Sequence, residues 1–446
     1  MIKQAIFVIV LLTLAVLGCN KSNPTSVEVS TPTIQIGQSI SSDTLPSAAK
    51  GTCLSGKTYY FKSDVTVNAG DTLYLQAGTK LIAICDGLTP ATSPMLLING
   101  TFISDGTKAK PVWITVPDLQ RTTSNLTAGL WGGIQTSTTS GDVIIKWTHI
   151  EYTGGPSPAG LAPYAQGDSR WPICFNNINA NFVLYDSWIT GSKDDGVRVM
   201  SGKIAVFRNT FECLGSTGGD MFNVKNGTVG DAGYNLFIGG CTNGGKLSNS
   251  GTTAIQENVN FYNNTMINCG LRQVQSGRGG SMNLEKGGKG MLFNNMIVNC
   301  RFGFRLTSDA DTAHTTYGNT FYYANAKAMV SEFNATTGVA KTQQSDVRID
   351  TLKKNNPLFV NYDVDQFDFS TITPPVTFAS MVAYPGLLIQ GTSDFNLKSN
   401  SPAVGKGKTN FTPNSAVTIS GSFAPVIPGP GIDIGAYQTN GSGNQH

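Results

Sequence analysis

The chain has 446 residues, only 13% of them charged, with 51 glycines and a formal net charge of +3. That length accommodates one long domain or two or three small ones, and the Gly, Asn, Ser and Thr content suits short strands and tight turns better than helices. Basic residues are scattered without a block, so nucleic acid is not an expected partner.

The first residues carry a targeting pattern. Lys3 supplies a positive start, and Ala5–Leu17 is an apolar run too short to span a bilayer comfortably. It ends in Val16-Leu17-Gly18-Cys19, and a small residue directly before a cysteine resembles the lipobox of bacterial lipoproteins. The resemblance implies that residues 1–18 are a signal peptide, that Cys19 carries lipid, and that the protein is anchored to a membrane outside the cytoplasm. Asn20 in place of Asp points to the outer membrane under enterobacterial sorting, facing either the periplasm or the cell surface. The plainer alternative is an ordinary secretory signal with a chance cysteine. Residues 19–50 are rich in Ser, Thr and Pro and are predicted to form a tether.

Strand patterns follow, punctuated by glycine: residues 64–84, 95–107, 111–116 and 129–136. Further on, a marker Asn recurs at Asn209, Asn235, Asn264, Asn295 and Asn319, in steps of 26, 29, 31 and 24 residues, with Ser187 an earlier member. Each copy alternates apolar and polar residues around the marker, and a second strand precedes most copies, as in Gly196–Val199, Met221–Val224, Ser281–Leu284 and Phe302–Leu306. A period of that length with several strands per unit predicts an all-β solenoid, a parallel β-helix in one elongated domain. The Leu lattice of leucine-rich repeats is absent.

Residues 67–81, 96–115, 130–134 and 150–155 ("VNAGDTLYLQAGTKL", "LLINGTFISDGTKAKPVWIT", "LWGGI", "IEYTGG") resemble right-handed parallel β-helix proteins of the pectin-lyase-like superfamily, in particular secreted Bacteroidetes members. The closing phrases "NPLFV", "DFNLKSNSPAVGKG" and "DIGAY" resemble the last coils of the same group. The resemblance implies a right-handed β-helix over 51–437, followed by a flexible tail at 438–446. That superfamily hosts lyases, hydrolases, adhesins and proteins without chemistry, so the likeness speaks to fold more than to activity.

Stacked coils should place the marker Asn side chains in a hydrogen-bonded ladder. Cys213, Cys241, Cys269 and Cys300, spaced 28, 28 and 31 residues, are predicted to be buried, stacked free thiols, since zinc would want closer ligand pairs. Cys53 and Cys85 are open to a bridge or to two free thiols, and Cys174 has no evident partner.

Lyases of that superfamily need a base beside a uronate carboxylate, a cation to hold the enolate, and a groove; calcium serves several, so calcium is a candidate cofactor here, with no metal assigned. The strand patterns put Arg198, Asn223, Asn283 and Arg305 on one outer stripe. Asp194, Asp195, Arg198, Lys225 and Arg305 are the candidate catalytic groups. Asn223, Asn283, Glu285, Tyr164 and Trp171 are candidate substrate contacts. Asp220, Arg278 and Lys286 lie nearby in sequence. Tyr164 and Trp171 sit in a Pro/Gly-rich insertion, where exposed rings would suit sugar stacking. The bland readings are that Asp194-Asp195-Gly196 is a turn, the stripe a solvated sheet face, and Trp171 a packing residue. The Asp-Asp-Gly run resembles one motif of polygalacturonase-type hydrolases, but His149, His314 and His446 all lack the flanking glycines of that group's second motif. A lyase is therefore expected ahead of a hydrolase. The expected function is a monomeric envelope lipoprotein that binds or degrades polysaccharide or cell-surface glycan; the competing class is a non-catalytic, adhesin-like surface scaffold.

Overall fold

A strand that alternates apolar and polar residues can bury one face only if a neighbouring sheet meets it. Here the chain supplies that neighbour by coiling on itself. The computed structural model describes residues 36–383 and 393–446, and they form a right-handed parallel β-helix with three stacked strand columns. The first column contains Val65–Val67, Leu96–Ile98, Ile134–Thr136, Phe222–Val224, Asn243–Ser248, Gly280–Glu285 and Arg305–Leu306. Two long strands, Ile173–Tyr185 and Val197–Phe207, run through it into the second column, so that the two join as one sheet. The third column runs from Thr58–Phe61 to Phe321–Tyr323 as a separate parallel sheet. The apolar neighbours of the polar stripe (Val197, Val199, Phe222, Val224, Met282, Leu284, Phe304 and Leu306) point inward and all lie in one continuous core.

The Asn ladder is present at one corner. Asn264 Oδ1 accepts from the backbone N–H and the side-chain amide of Asn235, both at 3.0 Å, and Asn295 Oδ1 does the same for Asn264 at 3.1 Å. Asn235 serves Asn209, and Asn209 serves the Ser187 N–H at 3.0 Å. The chain turns here because the preceding residue is left-handed, as at Asn263 (φ 52°) and Asn294 (φ 60°). Asn319 does not belong to the ladder. With Met296 paired to Phe321, it falls in the left-handed position (φ 47°), and Thr320 takes the place of the rung.

The cysteine stack is only partial, although all four thiols are buried and free. Counting on from the Ile267–Val298 pair, Cys269 and Cys300 are in register. Cys213 instead occupies a left-handed corner (φ 52°) equivalent to Gly191, and Cys241 falls one residue late. Cys53 and Cys85 are also free.

Three boundaries differ from expectation. The predicted tether ends earlier, because Ser39, Thr44 and Ala48 bridge to Thr52, Tyr60 and Thr66, and Leu45 and Ala49 are buried as a lid on the first coil. The regular coils stop at Tyr323, not near residue 437. The supposedly flexible tail is packed: Asn444 donates to the carbonyls of Asn209 and Tyr234 (3.2 and 3.1 Å), and His446 stacks on Trp188 at 3.8 Å. The signal peptide, Cys19, Asn20 and the rest of the tether up to residue 35 lie outside the described residues.

Between the last coils and the tail, residues 408–431 form a strap along the outside of the second column. The apolar outer face there (Tyr74, Ile103, Ile144, Val183, Phe207) would otherwise meet water, and Phe411, Ile419 and Phe423 cover it. No strand ladder holds the strap among the described residues; individual bonds do. Asp231, fully buried, accepts the N–H groups of Asn414 (2.9 Å) and Ser415 (2.7 Å). Asp231→Ala is expected to cost about 2–3 kcal/mol and to speed proteolytic cutting between residues 408 and 428. Limited proteolysis followed by mass spectrometry checks this.

Candidate functional site

Register decides which polar groups meet. Arg198 pairs with Asn223, Asn223 with Lys246, Lys246 with Asn283, and Asn283 with Arg305, so the predicted stripe forms with one additional member. Lys246 sits in "GGKLS", which lacks the marker pattern; its only signal is a Lys-Leu step in the same phase as Asn223-Val224.

The stripe faces outward but is roofed by loops. Asn223 and Asn283 are each 2% exposed. A cup of about 420 Å³ opens over its centre, walled by Asp195, Arg198, Asp220, Asn223, Lys225 and Lys246, with loops 217–219 and 273–278 as its rim. Arg278 is on that rim. Arg305 continues the row but does not line the cup, and Lys286 is exposed beyond it.

Within the cup the charges are tightly partnered. Arg198 Nη1 lies 2.9 Å from Asp195 Oδ2, which also accepts from Asn223 Nδ2 at 2.8 Å. Asp195 Oδ1 accepts the Asp220 N–H at 2.7 Å, tying one coil to the next. Asp220 accepts from Asn243 Nδ2 (2.7 Å) and Asn223 Nδ2 (3.1 Å). Lys246 Nζ stands 3.2 Å from Glu285 Oε1 and 3.9 Å from Asp220 Oδ2. Asn283 Nδ2 holds the other Glu285 oxygen at 2.8 Å. Among the described residues, Asn223 Oδ1 and Asn283 Oδ1 have no partner and are buried.

Lys225 is the exception. It is buried, yet among the described residues no carboxylate lies within ion-pair distance of its ammonium, so burial, with Arg198 and Lys246 adding repulsion, brings its pKa down to about 8. Asp194 moves the other way: burial first, then the neighbouring Asp195 charge, push its carboxyl up to about 6. Burial and Asp195 also raise Asp220. Glu285, which burial would raise, is instead held below its ordinary value by Lys246 and Asn283. An amine and a carboxyl whose pKa values converge on neutrality are suited to proton transfer.

The aromatic expectation is corrected. Tyr164 and Trp171 are 9% and 6% exposed and pack on Cys174, because the insertion that carries them folds flat over the first column. Trp171 offers its face to Arg198 (4.2 Å) and its Nε1 to Asp194 Oδ2 (3.4 Å). It positions the charged groups and is not an open platform for sugar.

Calcium does not fit this donor set. The carboxylates are engaged by Arg198, Asn223, Asn243 and Lys246, and among the described residues no three His, Cys, Asp or Glu side chains are grouped to hold a metal.

Compared with protein-family models, curated proteins and solved structures, the chain matches none.

Proposed function

We propose that the cup binds a uronate-containing polysaccharide and cleaves it by β-elimination. The observation that carries this reading is Lys225: a buried amine with a lowered pKa, with no ion-pairing carboxylate among the described residues and set between two cations. Neutral Lys225 takes the proton next to the uronate carboxylate, and the C–H electrons become the new double bond. Arg198 and Lys246 balance the charge that develops on the carboxylate as the enolate forms. The bond to the leaving sugar oxygen then breaks, and that oxygen takes its proton from water at the open mouth of the cup.

Incubating the protein from residue 36 onward with polygalacturonate, alginate and glycosaminoglycan tests the reading. Ultraviolet absorbance from unsaturated ends supports elimination. New reducing ends without that absorbance point to hydrolysis, and no product from any polymer favours a non-catalytic scaffold. Because Asp195, Asp220 and Glu285 are already engaged by Arg198, Asn223, Asn243 and Lys246, EDTA is expected to leave the rate within about twofold, whereas a lyase that used calcium as its enolate stabiliser would lose most of its activity.

Around that activity we place a lipid-anchored protein of the outer membrane, carried by Cys19, with its relationship in the pectin-lyase-like superfamily. The support is the lipobox-like Leu17-Gly18-Cys19 and the coil phrases quoted above. Metabolic labelling with a fatty-acid probe, lost in Cys19→Ala, checks the anchor.

A further inference from the structure

The cup is closed at both ends of the stripe. Upstream, Cys174 is the register neighbour of Arg198, and its outward side is sealed at 1% exposure by Tyr164 and Trp171. The seal is fastened, since Tyr164 Oη donates to Gln135 Oε1 at 2.6 Å and the two rings lie 4.4 Å apart. Downstream, loop 271–279 crosses the stripe just past Lys246. Gln273 Nε2 anchors it to Thr242 Oγ1 (2.6 Å), Arg301 Nη1 donates to the Gln273 carbonyl (2.6 Å), and Thr337 Oγ1 reaches the Gly277 carbonyl (3.2 Å). Asn283, the next member of the row, is accordingly buried.

What remains open spans from Arg198 to Lys246, two strand spacings or about 10 Å. A polymer threaded along the sheet would need the stripe open on both sides, as a cleft. A cup of about 420 Å³ is near the small end of ligand pockets, which run from about 300 to 1,000 Å³. Resting on the elimination reading above, we infer that the site takes the terminus of an acidic polysaccharide, about two sugar residues deep, and releases short products from chain ends.

Binding by calorimetry to di-, tetra- and octamers of galacturonate and of alginate uronates is the test, alongside product sizing over time. The expected result is equal affinity for all lengths within about twofold, together with small products from the outset and little loss of polymer viscosity. A closed cup allows no further contacts, whereas each well-made extra contact in a through-cleft would add up to tenfold. Affinity that climbs with length, or a ladder of mid-sized products, overturns the chain-end inference and leaves elimination standing. Failure of every oligomer to bind overturns both.

Discussion

Lys225→Met is expected to lower elimination by about 10²–10⁴-fold, the range associated with losing a positioned base. The same change should leave the melting temperature unchanged or higher, and the sign follows from linkage. Lys225 has a folded pKa of about 8, below its ordinary value near 10.5. Between those values the unfolded chain binds more protons, so stability rises with pH through that window; below about 8 the buried charge is a standing cost. Methionine keeps the stem's packing and removes the charge. Loss of activity with retained or increased stability is therefore the signature of a functional amine. A large fall in melting temperature would instead mark Lys225 as structural and sink the base assignment. With neutral Lys225 required, the rate should rise with pH and level off above about pH 8. A pH profile of kcat/KM on the wild-type protein reads that flank.

Asn264→Ala is expected to destabilise the protein by about 3–6 kcal/mol, whereas Asn319→Ala should cost about 1–2 kcal/mol, mostly from placing alanine at a left-handed φ of 47°. The residues look alike in the sequence, each followed by Thr and a short apolar strand. Asn264 is fully buried and serves three neighbours: the Asn235 backbone and amide, the Ala232 carbonyl (3.2 Å) and Asn295 Oδ1. Truncation leaves several of those groups dry and unpaired, and buried orphans cost about 1–3 kcal/mol each. Asn319 donates to the Lys406 carbonyl at an exposed position, where water can replace it. Denaturant unfolding of both variants gives the comparison. Equal costs would mean that the ladder is not the strut it is taken for.

The site was partly legible for a specific reason. Strand alternation assigns each residue to the inner or outer face, so the row Arg198–Asn223–Asn283–Arg305 followed from local pattern, as did Asp194, Asp195 and Lys225 beside it. Lys246 did not, because Gly244 and Gly245 remove the apolar flank that marks a strand; only pairing with Phe222–Val224 places it. Trp171 looked available because insertions usually bulge, and here the insertion lies down on Cys174 instead. The cysteine spacing misled for a related reason. Coil length varies, so equal spacing in the chain did not ensure equal register, and Cys213 landed on a corner.

Composition, period and the Asn markers by themselves determined a β-solenoid, the identity of its inward faces and one hydrogen-bonded corner, since each depends on residues within a coil and its neighbours. The roof over the stripe, the closure of the cup at Trp171 and at loop 271–279, the strap over the second column and the packed tail were decided only in the tertiary structure. Each arises from contacts between segments far apart in the chain, such as Thr337 with Gly277 or Asn414 with Asp231, whose pairing depends on the stacking geometry of the coils and leaves no periodic trace in the residues themselves.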